Sequence, residues 1–423
     1  MGGNDVIETI GHELKLLETL ALRIGLRTAR INLEQYNQYM SEWAMQDWLT
    51  AQEAMARLGL KPQTLYAYVS RGLIEARGDG EDSRRSLYRA EDVARLEHRK
   101  ARGRRPAAIA EDAIAYGEPV LSSAITTIER GGLWYRGQDA TRLTESAKLE
   151  DVARLLWDCG TQRFPPLATI VPPGEPLARV FAVIAARTAT DRPMVGRTKK
   201  ALYLEAAAVL DTLVDAIASG PGEGPIHARL ARAWGCEAEG AEPIRRALVL
   251  LADHELNAST FAARVTASTG ASLAACALAG LAALSGPLHG GVAPRVLALM
   301  REIGRDGLET AIAARLETGA KLPGFGHPLY PDGDPRARAL FAAFEPPTAY
   351  AQAQAAIGAL TGEEPNIDFA LSALAARLGL PETAPFQIFA AARCTGWLAH
   401  ALEQNETGRL IRPRARYVGP APA

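Results

Sequence analysis

The chain has little cysteine, almost no net charge and few strand-like segments. Its four cysteines, Cys159, Cys236, Cys276 and Cys394, stand far apart, without the paired spacing of disulfide frameworks or zinc sites. This distribution is typical of reduced thiols in a cytoplasmic protein, and it predicts no metal site. A net charge of −1 over 423 residues gives no global attraction to nucleic acid or to an anionic membrane, so such a partner would need a local patch.

Signals for a membrane or for export are also lacking. The N-terminus has neither the basic start nor the apolar run of a signal peptide. Val265 to Leu288 carries no charge, but it is rich in Ala, Ser, Thr and Gly and leads into a polar turn at His289. Membrane spans are dominated by larger apolar side chains. We therefore predict one tightly packed buried helix here and expect no membrane partner.

The second feature of the chain is a long helical region. A chain of 423 residues is too long for one compact core. Beyond residue 110, apolar residues recur three and four apart, as in Leu149 to Trp157, Ala201 to Ile217 and Ile244 to Asn257. Strand-like alternation is confined to a short hairpin between Ile125 and Arg136. The predicted fold class of this region is all-α.

Residues 1–45 form a separate leader. Its apolar residues alternate three and four apart, which predicts an amphipathic helix, at Ile7, Ile10, Leu14, Leu17, Ala21 and Ile24. Such a helix can dock on its own domain or form a short dimerising coil. Met40 and Met45 are each a candidate start of a shorter natural product.

The sequence of residues 46–105 predicts a helix, a glycine turn and a second helix. Thr50 is placed to cap Ala51 to Leu58, Gly59 turns the chain, and Pro62 opens a helix that runs to Arg71. A polar, hairpin-like stretch follows. The segment resembles the winged helix-turn-helix of MerR-type regulators and excisionases.

That resemblance implies DNA as a partner of residues 46–105. The residues expected to face DNA, on the second helix, at its ends and in the basic cluster that follows, are Lys61, Gln63, Thr64, Tyr66, Arg71, Arg84 and Arg85. A solvated linker is an alternative interpretation of these basic residues, because the acidic residues Glu91, Asp92 and Glu97 reduce the net positive charge of the segment. A fused domain of this kind can equally serve as an assembly surface.

Candidate chemistry lies in the second half of the chain. His289 precedes Gly290-Gly291 and His327 follows Gly326, and glycine lets backbone approach a ligand closely. An imidazole held there can donate a hydrogen bond or exchange a proton near neutral pH. Asp368 follows Pro365-Asn366, a turn-forming pair that we expect to aim it away from a regular helix.

Two further groups complete the candidate set. His254 follows a helical run, and a lone histidine there is more often a hydrogen-bonded core residue than a ligand. Late in the chain, Arg393, Arg412 and Arg414 supply guanidiniums that can bind carboxylates in a bidentate manner.

Taken together and in order, these motifs resemble those of the citrate synthase family. They read Ala252-Asp-His-Glu-Leu-Asn257, Gly286-Pro-Leu-His-Gly-Gly291, Gly324-Phe-Gly-His327 with Asp334-Pro-Arg336, and Pro365-Asn-Ile-Asp-Phe369. Ile125 to Gly137 is similar to the family's N-terminal block. The resemblance covers about residues 115–420.

The resemblance implies condensation of oxaloacetate with acetyl-CoA, or with propionyl-CoA to give 2-methylcitrate, without a cofactor. It implies Asp368 as the base, His289 as the group that stabilises the enol, and His327 as the group that polarises the ketone. The residues that would hold the substrate carboxylates are His254, Arg336, Arg393 and Arg412. Arg412 would reach the site of a partner subunit, so the expected assembly is a homodimer or larger.

The resemblance also implies two domains that close on the substrates. The large domain would comprise residues 113–290 with 383–423, and the small domain residues 291–382. One departure concerns Pro331, which stands where the family commonly carries a basic residue that holds CoA phosphates. Lys321 or Arg295 is a candidate to replace it. The alternative function is a DNA-binding regulator that senses oxaloacetate or acyl-CoA, although sensing gives no reason to keep a base such as Asp368.

Overall fold

The computed structural model describes residues 48–60, 62–70, 74–78, 86–90, 92–93, 121–160, 170–318, 320–415 and 419. The chain divides into two compact units, Met1–Ser122 with Arg416–Ala423, and Ser123–Ala415. The predicted leader helix in residues 1–45 lies outside the described residues.

The described residues of the N-terminal unit form two short helices and a three-stranded sheet. Its elements are β1 (Trp48–Thr50), α1 (Ala51–Leu58), α2 (Pro62–Ser70), β2 (Ala76–Gly78) and β3 (Ser86–Arg89). The antiparallel sheet has the order β1-β3-β2, with Arg77 opposite Leu87. The hairpin of β2 and β3 forms the wing of a helix-turn-helix, as predicted.

Local sequence sets the ends of α1. The Thr50 hydroxyl accepts the Glu53 N–H at 3.3 Å, and the Thr50 N–H donates to the Glu53 carboxylate at 2.8 Å, which completes a capping box. Gly59 ends the helix with a φ of 56°, a conformation that favours glycine. The predicted cap and turn are confirmed.

The residues predicted to contact DNA are only partly described. Lys61, Arg71, Arg84 and Arg85 lie outside the described residues, and for Gln63 the backbone alone is described. Thr64 is half-buried, whereas Tyr66 is 62% exposed on α2. Contact with DNA stays a prediction.

The second unit begins with a small sheet and continues as helices. The strands are β4 (Thr126–Glu129), β5 (Gly132–Tyr135) and β6 (Gln138–Asp139), so the predicted hairpin is confirmed and extended by one strand. The helices are α3 (Ala140–Leu143), α4 (Leu149–Trp157), α5 (Pro176–Thr190), α6 (Lys199–Ala218), α7 (Ile226–Ala233), α8 (Glu237–Leu251), α9 (Ala258–Ser268), α10 (Leu273–Leu284), α11 (Val292–Asp306), α12 (Leu308–Glu317), α13 (Pro335–Phe341), α14 (Thr348–Thr361), α15 (Ile367–Leu378) and α16 (Ala384–Thr407).

Two helix predictions were wrong in extent. The uncharged stretch from Val265 to Leu288 is not one helix but the end of α9, a turn, and α10. Gly270 takes a φ of 81° in the turn, and the Ser272 hydroxyl accepts the Ala275 N–H to start α10. The periodic run to Asn257 also stops early, because α8 ends at Leu251. In the described part of the chain, no helix is long and apolar enough to cross a membrane.

Two hydrophobic cores lie within this unit. The larger joins side chains from the small sheet to α16, including Leu213, Leu248 and Trp397. The smaller core comprises Val296, Leu299, Ile312, Leu322, Phe325, Tyr350, Ala353, Ile357, Phe369 and Ala373. Helix α15 contributes to both cores. The smaller core falls within residues 291–382, but a division into two closing domains stays a prediction.

Candidate active site

His254 lies in the loop that follows α8, and its side chain is buried. Its Nε2 atom lies 2.9 Å from the Tyr330 hydroxyl, and its ring lies 5.3 Å from that of His327 in an edge-on arrangement. Burial lowers the pKa of His254 well below its ordinary value, and the guanidiniums of Arg336 and Arg393 lower it further. The ring is therefore neutral at pH 7.

His327 is held in a glycine loop that fixes its tautomer. Gly324 and Gly326 have φ angles of 87° and 66°, and a Cβ at Gly324 would lie 2.9 Å from that of Phe369. The Leu329 N–H donates to Nδ1 of His327 at 3.1 Å, so the proton of the neutral ring is on Nε2. Burial lowers the pKa of His327 to about 4. The side chain is thus a neutral hydrogen-bond donor.

A short antiparallel bridge joins the His327 loop to the segment before Asp368. Phe325 pairs with Pro365, and the Asn366 N–H donates to the Gly324 carbonyl at 2.8 Å. The Asn366 side-chain amide donates to the Gly326 carbonyl at 3.0 Å. These bonds fix the backbone that precedes the aspartate relative to the histidine loop.

Asp368 occupies the first turn of α15, so the prediction that it turns away from a regular helix was wrong. Asn366 starts the helix instead, because its side-chain oxygen accepts the Asp368 N–H at 3.1 Å. Among the described residues, none donates a hydrogen bond to the Asp368 carboxylate. Burial raises its pKa to about 6, although Arg336 opposes the shift. The carboxylate is therefore an available base near neutral pH.

Arg336 is a buried cation with a fixed counter-charge. Its Nε and Nη2 atoms donate to the two oxygens of Asp334 at 2.9 and 2.8 Å, and it lies over the Tyr330 ring at 5.3 Å. Asp334 also accepts the Ile367 N–H at 3.0 Å, which connects this pair to the start of α15. The Asp334 bonds leave Nη1 of Arg336 for another acceptor.

Arg393 is buried on α16 with incomplete hydrogen bonding. Its Nε donates to the Leu251 carbonyl at 3.0 Å, and the guanidinium lies over the Phe389 ring at 4.8 Å. Its Nη2 atom finds no acceptor in the described part of the chain. Burial lowers its pKa to about 10. A buried cation with a free donor needs an anion, so this atom marks a place for a bound carboxylate.

His289 lies in the loop between α10 and α11. Its Nε2 is 2.8 Å from the Ser259 hydroxyl, which accepts the Trp397 indole N–H at 3.1 Å and donates to the side-chain oxygen of Asn257 at 2.8 Å. Burial lowers the pKa of His289 to about 4. The ring is neutral, and the Ser259 proton decides which ring nitrogen carries hydrogen.

The structure brings together most of the residues predicted for the site. His254, His327 and Arg336 meet around Tyr330, and the charge of Arg393 acts on both His254 and His289. Arg412 is different, since it is exposed on the segment after α16 and makes no ion pair with another described residue.

Several contact residues were missed in the sequence. Tyr330 and Ser259 contact the histidines and Trp397 contacts Ser259, yet only Tyr330 had a local signal, its position three residues after His327. A carboxylate base, neutral imidazole donors and buried guanidiniums suit proton abstraction beside a carbonyl, with a second substrate that carries carboxylates.

Two families of known proteins match separate parts of the chain. The family described as citrate synthase, C-terminal domain, matches residues 204–414, and a helix-turn-helix domain matches residues 48–100. Citrate synthase 2 of Bacillus subtilis is 34% identical over 358 residues, which cover 72% of this chain and 95% of that protein. The 2-methylcitrate synthase of Shewanella oneidensis is 36% identical over 187 residues, which cover 41% of this chain and 50% of that protein.

Solved structures show the same similarity in three dimensions. Citrate synthase from Thermoplasma acidophilum, in a ternary complex with carboxymethyl coenzyme A and oxaloacetate, matches with a TM-score of 0.58 and 26% identity. The match covers 72% of this chain and 95% of that one.

Proposed function

Because the chain belongs to the citrate synthase family, we propose that its helical body condenses acetyl-CoA with oxaloacetate to give citrate and CoA. The observation that carries the proposal is Asp368, a carboxylate with a pKa of about 6 that receives no hydrogen bond from another described residue. It lies within the electrostatic reach of two buried guanidiniums, Arg336 and Arg393. No metal or redox cofactor takes part in the proposed reaction.

The first step is removal of a proton from the methyl group of acetyl-CoA by Asp368. The methyl group is a weak acid, so the reaction needs a donor to the thioester oxygen as negative charge develops there. His289 fills this role if its Nδ1 carries the proton. That tautomer requires the Ser259 hydroxyl to turn its single proton from the Asn257 side-chain oxygen to Nε2 of His289, each 2.8 Å away, while Trp397 donates to Ser259.

The second step is attack of the enol carbon on the ketone of oxaloacetate. The Nε2–H of His327 would donate to the ketone oxygen and to the alkoxide that forms from it. The geometry supports this role because the Leu329 N–H already occupies Nδ1, so a neutral ring can present hydrogen only at Nε2.

The carboxylates of oxaloacetate would bind the cationic part of the site. Nη2 of Arg393 and Nη1 of Arg336 are the donors that the protein leaves available, and His254 lies beside both groups. Arg412 would complete the set from the partner subunit of a homodimer. Its exposed position after α16 is compatible with that role.

Hydrolysis of the citryl thioester by water would complete the reaction. Residues 291–382 would close over the large domain, residues 113–290 with 383–423, to exclude bulk water during condensation. The bridge between Phe325 and Pro365 supports this proposal, since it would carry His327 and Asp368 together during such a movement.

The sibling reaction with propionyl-CoA would give 2-methylcitrate. A relative with that name supports keeping it as a candidate. The two donors differ by one methylene, which is worth only about 1–3 kcal/mol in a pocket. The proposed chemistry is the same for both.

A thiol-release assay tests the proposal. The protein is mixed with oxaloacetate and either acetyl-CoA or propionyl-CoA, and free CoA is measured. The donor with the higher kcat/KM identifies the physiological class of substrate. Absence of oxaloacetate-dependent CoA release with both donors would refute the proposed function.

Substitution of Asp368 tests directly whether this residue is the base. Asp368→Asn should lower kcat by about 10²–10⁴-fold, the usual range for a general base. Oxaloacetate binding, followed by titration calorimetry, should change little. Asp332→Asn is the matched control, because Asp332 is exposed in the neighbouring loop. Equal turnover by the two variants would rule out Asp368 as the base.

A second candidate function is DNA binding by residues 46–105. The helix-turn-helix match over residues 48–100 and the wing of β2 and β3 favour it. Retention of the full-length protein on duplex DNA should fall steeply as salt is raised from about 50 to 200 mM if phosphates are bound. Lack of retention at low salt would favour an assembly role instead.

A further inference from the structure

Helix α16 carries a polar stripe on its buried side. Arg393 and His400 are seven residues apart and both nearly inaccessible, and Gly396 and Trp397 lie between them on the same face. Gln404 continues the stripe one turn further. Buried polar groups cost stability unless they are paired, so the partners of each side chain in the stripe bear on its role.

His400 connects two charged residues from other parts of the chain. Its Nε2 lies 3.1 Å from Oδ2 of Asp253, and its Nδ1 lies 3.3 Å from Nη1 of Arg264. Arg264 is itself fixed by Glu403 at 2.7 Å and Gln404 at 3.1 Å. Because a guanidinium can only donate, Nδ1 is the acceptor and the hydrogen of the neutral ring lies on Nε2, from where it donates to Asp253.

Asp253 is fully buried and directly precedes His254 in the chain. Gly396 permits this position, because a Cβ at residue 396 would lie 2.3 Å from the Asp253 carboxylate. The carboxylate also acts on Arg393. Burial lowers the pKa of this guanidinium, and the negative charge of Asp253 raises it. Asp253 is therefore a buried negative charge that acts on the guanidinium whose Nη2 atom has no acceptor among the described residues.

We propose that His400 is a positioning residue for the binding of the 2-oxodicarboxylate substrate. It acts by holding the Asp253 carboxylate at the start of the His254 loop, where its charge acts on Arg393, so that His254 and Arg393 keep their orientation toward the substrate. Nothing in the proposed reaction requires His400 to touch a substrate. The inference rests on the proposed function, since it takes oxaloacetate as the ligand of Arg393 and His254.

Two amide variants of His400 distinguish loss of the hydrogen bond to Asp253 from loss of a polar side chain at this position. In His400→Gln the amide nitrogen can reach Asp253 while its oxygen accepts from Arg264. In His400→Asn the shorter side chain keeps an acceptor for Arg264 but falls short of Asp253. We expect the KM for oxaloacetate to rise about 10-fold or more in His400→Asn, because a buried carboxylate loses its donor. It should stay within about 3-fold of the parent value in His400→Gln.

A positioning role is identified by comparing the KM for oxaloacetate with the KM for acetyl-CoA. The KM for acetyl-CoA should change less than about 2-fold in both variants, since His400 contacts Asp253 and Arg264, whereas the proposed donor to the thioester, His289, contacts Ser259. Leu402→Ala is the matched control for general damage to α16, because Leu402 lies in the same helix and contributes only to packing. It should lower the melting temperature and leave the KM for oxaloacetate unchanged.

Three results would overturn the inference. Equal oxaloacetate KM values in the parent protein and His400→Asn would do so, as would equal rises in the KM for both substrates. A rise in Leu402→Ala equal to that in His400→Asn would assign the effect to packing. If the parent protein binds oxaloacetate without turnover, the proposed function fails, and dissociation constants from calorimetry replace KM in the same comparison. If the parent protein binds no oxaloacetate, both proposals fail.

Discussion

The hydroxyl of Tyr330 lies 2.9 Å from Nε2 of His254, although the two residues are 76 positions apart. Tyr330 is also attached to the His327 loop, because its N–H donates to the His327 carbonyl at 2.9 Å. One tyrosine therefore joins two of the three site histidines. A hydroxyl that donates to Nε2 would leave the proton of a neutral His254 on Nδ1.

Tyr330→Phe tests whether this bond orients His254. Loss of one buried hydrogen bond costs about 1–2 kcal/mol, which corresponds to a rise of about 5- to 30-fold in the KM for oxaloacetate. The KM for acetyl-CoA should remain close to that of the parent protein. Tyr350→Phe is a suitable control, since Tyr350 packs in the smaller core. Equal oxaloacetate KM values in the two variants would contradict the prediction.

The pH dependence of turnover should reflect Asp368. A general base works when it is deprotonated, and burial raises the pKa of Asp368 to about 6. At saturating oxaloacetate, the negative charge of the substrate adds to this rise. We expect kcat/KM for acetyl-CoA to increase with pH and to reach half its plateau near or above pH 6. His289 and His327, with pKa values of about 4, stay neutral over that range.

A rate profile measured between pH 5 and pH 8 checks this expectation. A constant kcat/KM down to pH 5 would argue against an aspartate with a raised pKa as the base. Thermal unfolding followed over the same pH range shows whether any loss at low pH comes from unfolding instead.

Glu255 has a backbone conformation that favours glycine. Its φ is 51°, and its carboxylate accepts the Ile128 N–H at 2.6 Å, which ties the His254 loop to β4. Glu255→Ala and Glu255→Gly both lose that bond, but only glycine relieves the strain. We expect Glu255→Gly to be the more stable of the two by about 1 kcal/mol in chemical denaturation. A more stable alanine variant would show that the backbone strain is negligible.

Pro331 offers a test of how CoA phosphates are held. The resemblance to the citrate synthase family places a basic residue at this exposed position. Pro331→Lys should lower the KM for acetyl-CoA by up to about 5-fold, the effect of an exposed ion pair worth about 1 kcal/mol or less. The gain should disappear at high salt. Pro331→Ala is the control, and a similar gain in it would attribute the effect to loss of proline.

Sequence patterns were sufficient for much of the local structure. The cap at Thr50, the turn at Gly59 and helix α4 agree with the predictions, because nearby side chains determine them. The helix break near Gly270 could also have been predicted, because Ser272 is a typical N-cap residue. The lack of charge across this stretch suggested one continuous helix instead. Asn366 was interpreted as a turn former, but the same side-chain oxygen starts a helix when the following residues pack against a core.

Contacts between distant residues could not be predicted in this way. Trp397 donates to Ser259 across 138 positions, and His400 reaches Asp253 across 147. Such pairs depend on how α9 and α16 pack, and hydrophobic periodicity specifies the buried face of a helix but not its partner. His289 and His327 could be selected as candidates because their glycine-rich motifs are local, whereas Ser259, which contacts His289, lies 30 positions away.

Glu403 has a consequence for dividing this protein into parts. One of its carboxylate oxygens accepts the Ala124 N–H at 2.7 Å, and the other accepts from Arg264 at 2.7 Å. Among the described residues, the amide at position 124 is therefore one tether near the start of the helical body. A shortened protein that starts at residue 125 would lose this tether beside the Arg264–His400 pair, whereas one that starts a few residues before Ala124 would retain it. The boundary for separate study of the two units thus lies on the N-terminal side of Ala124.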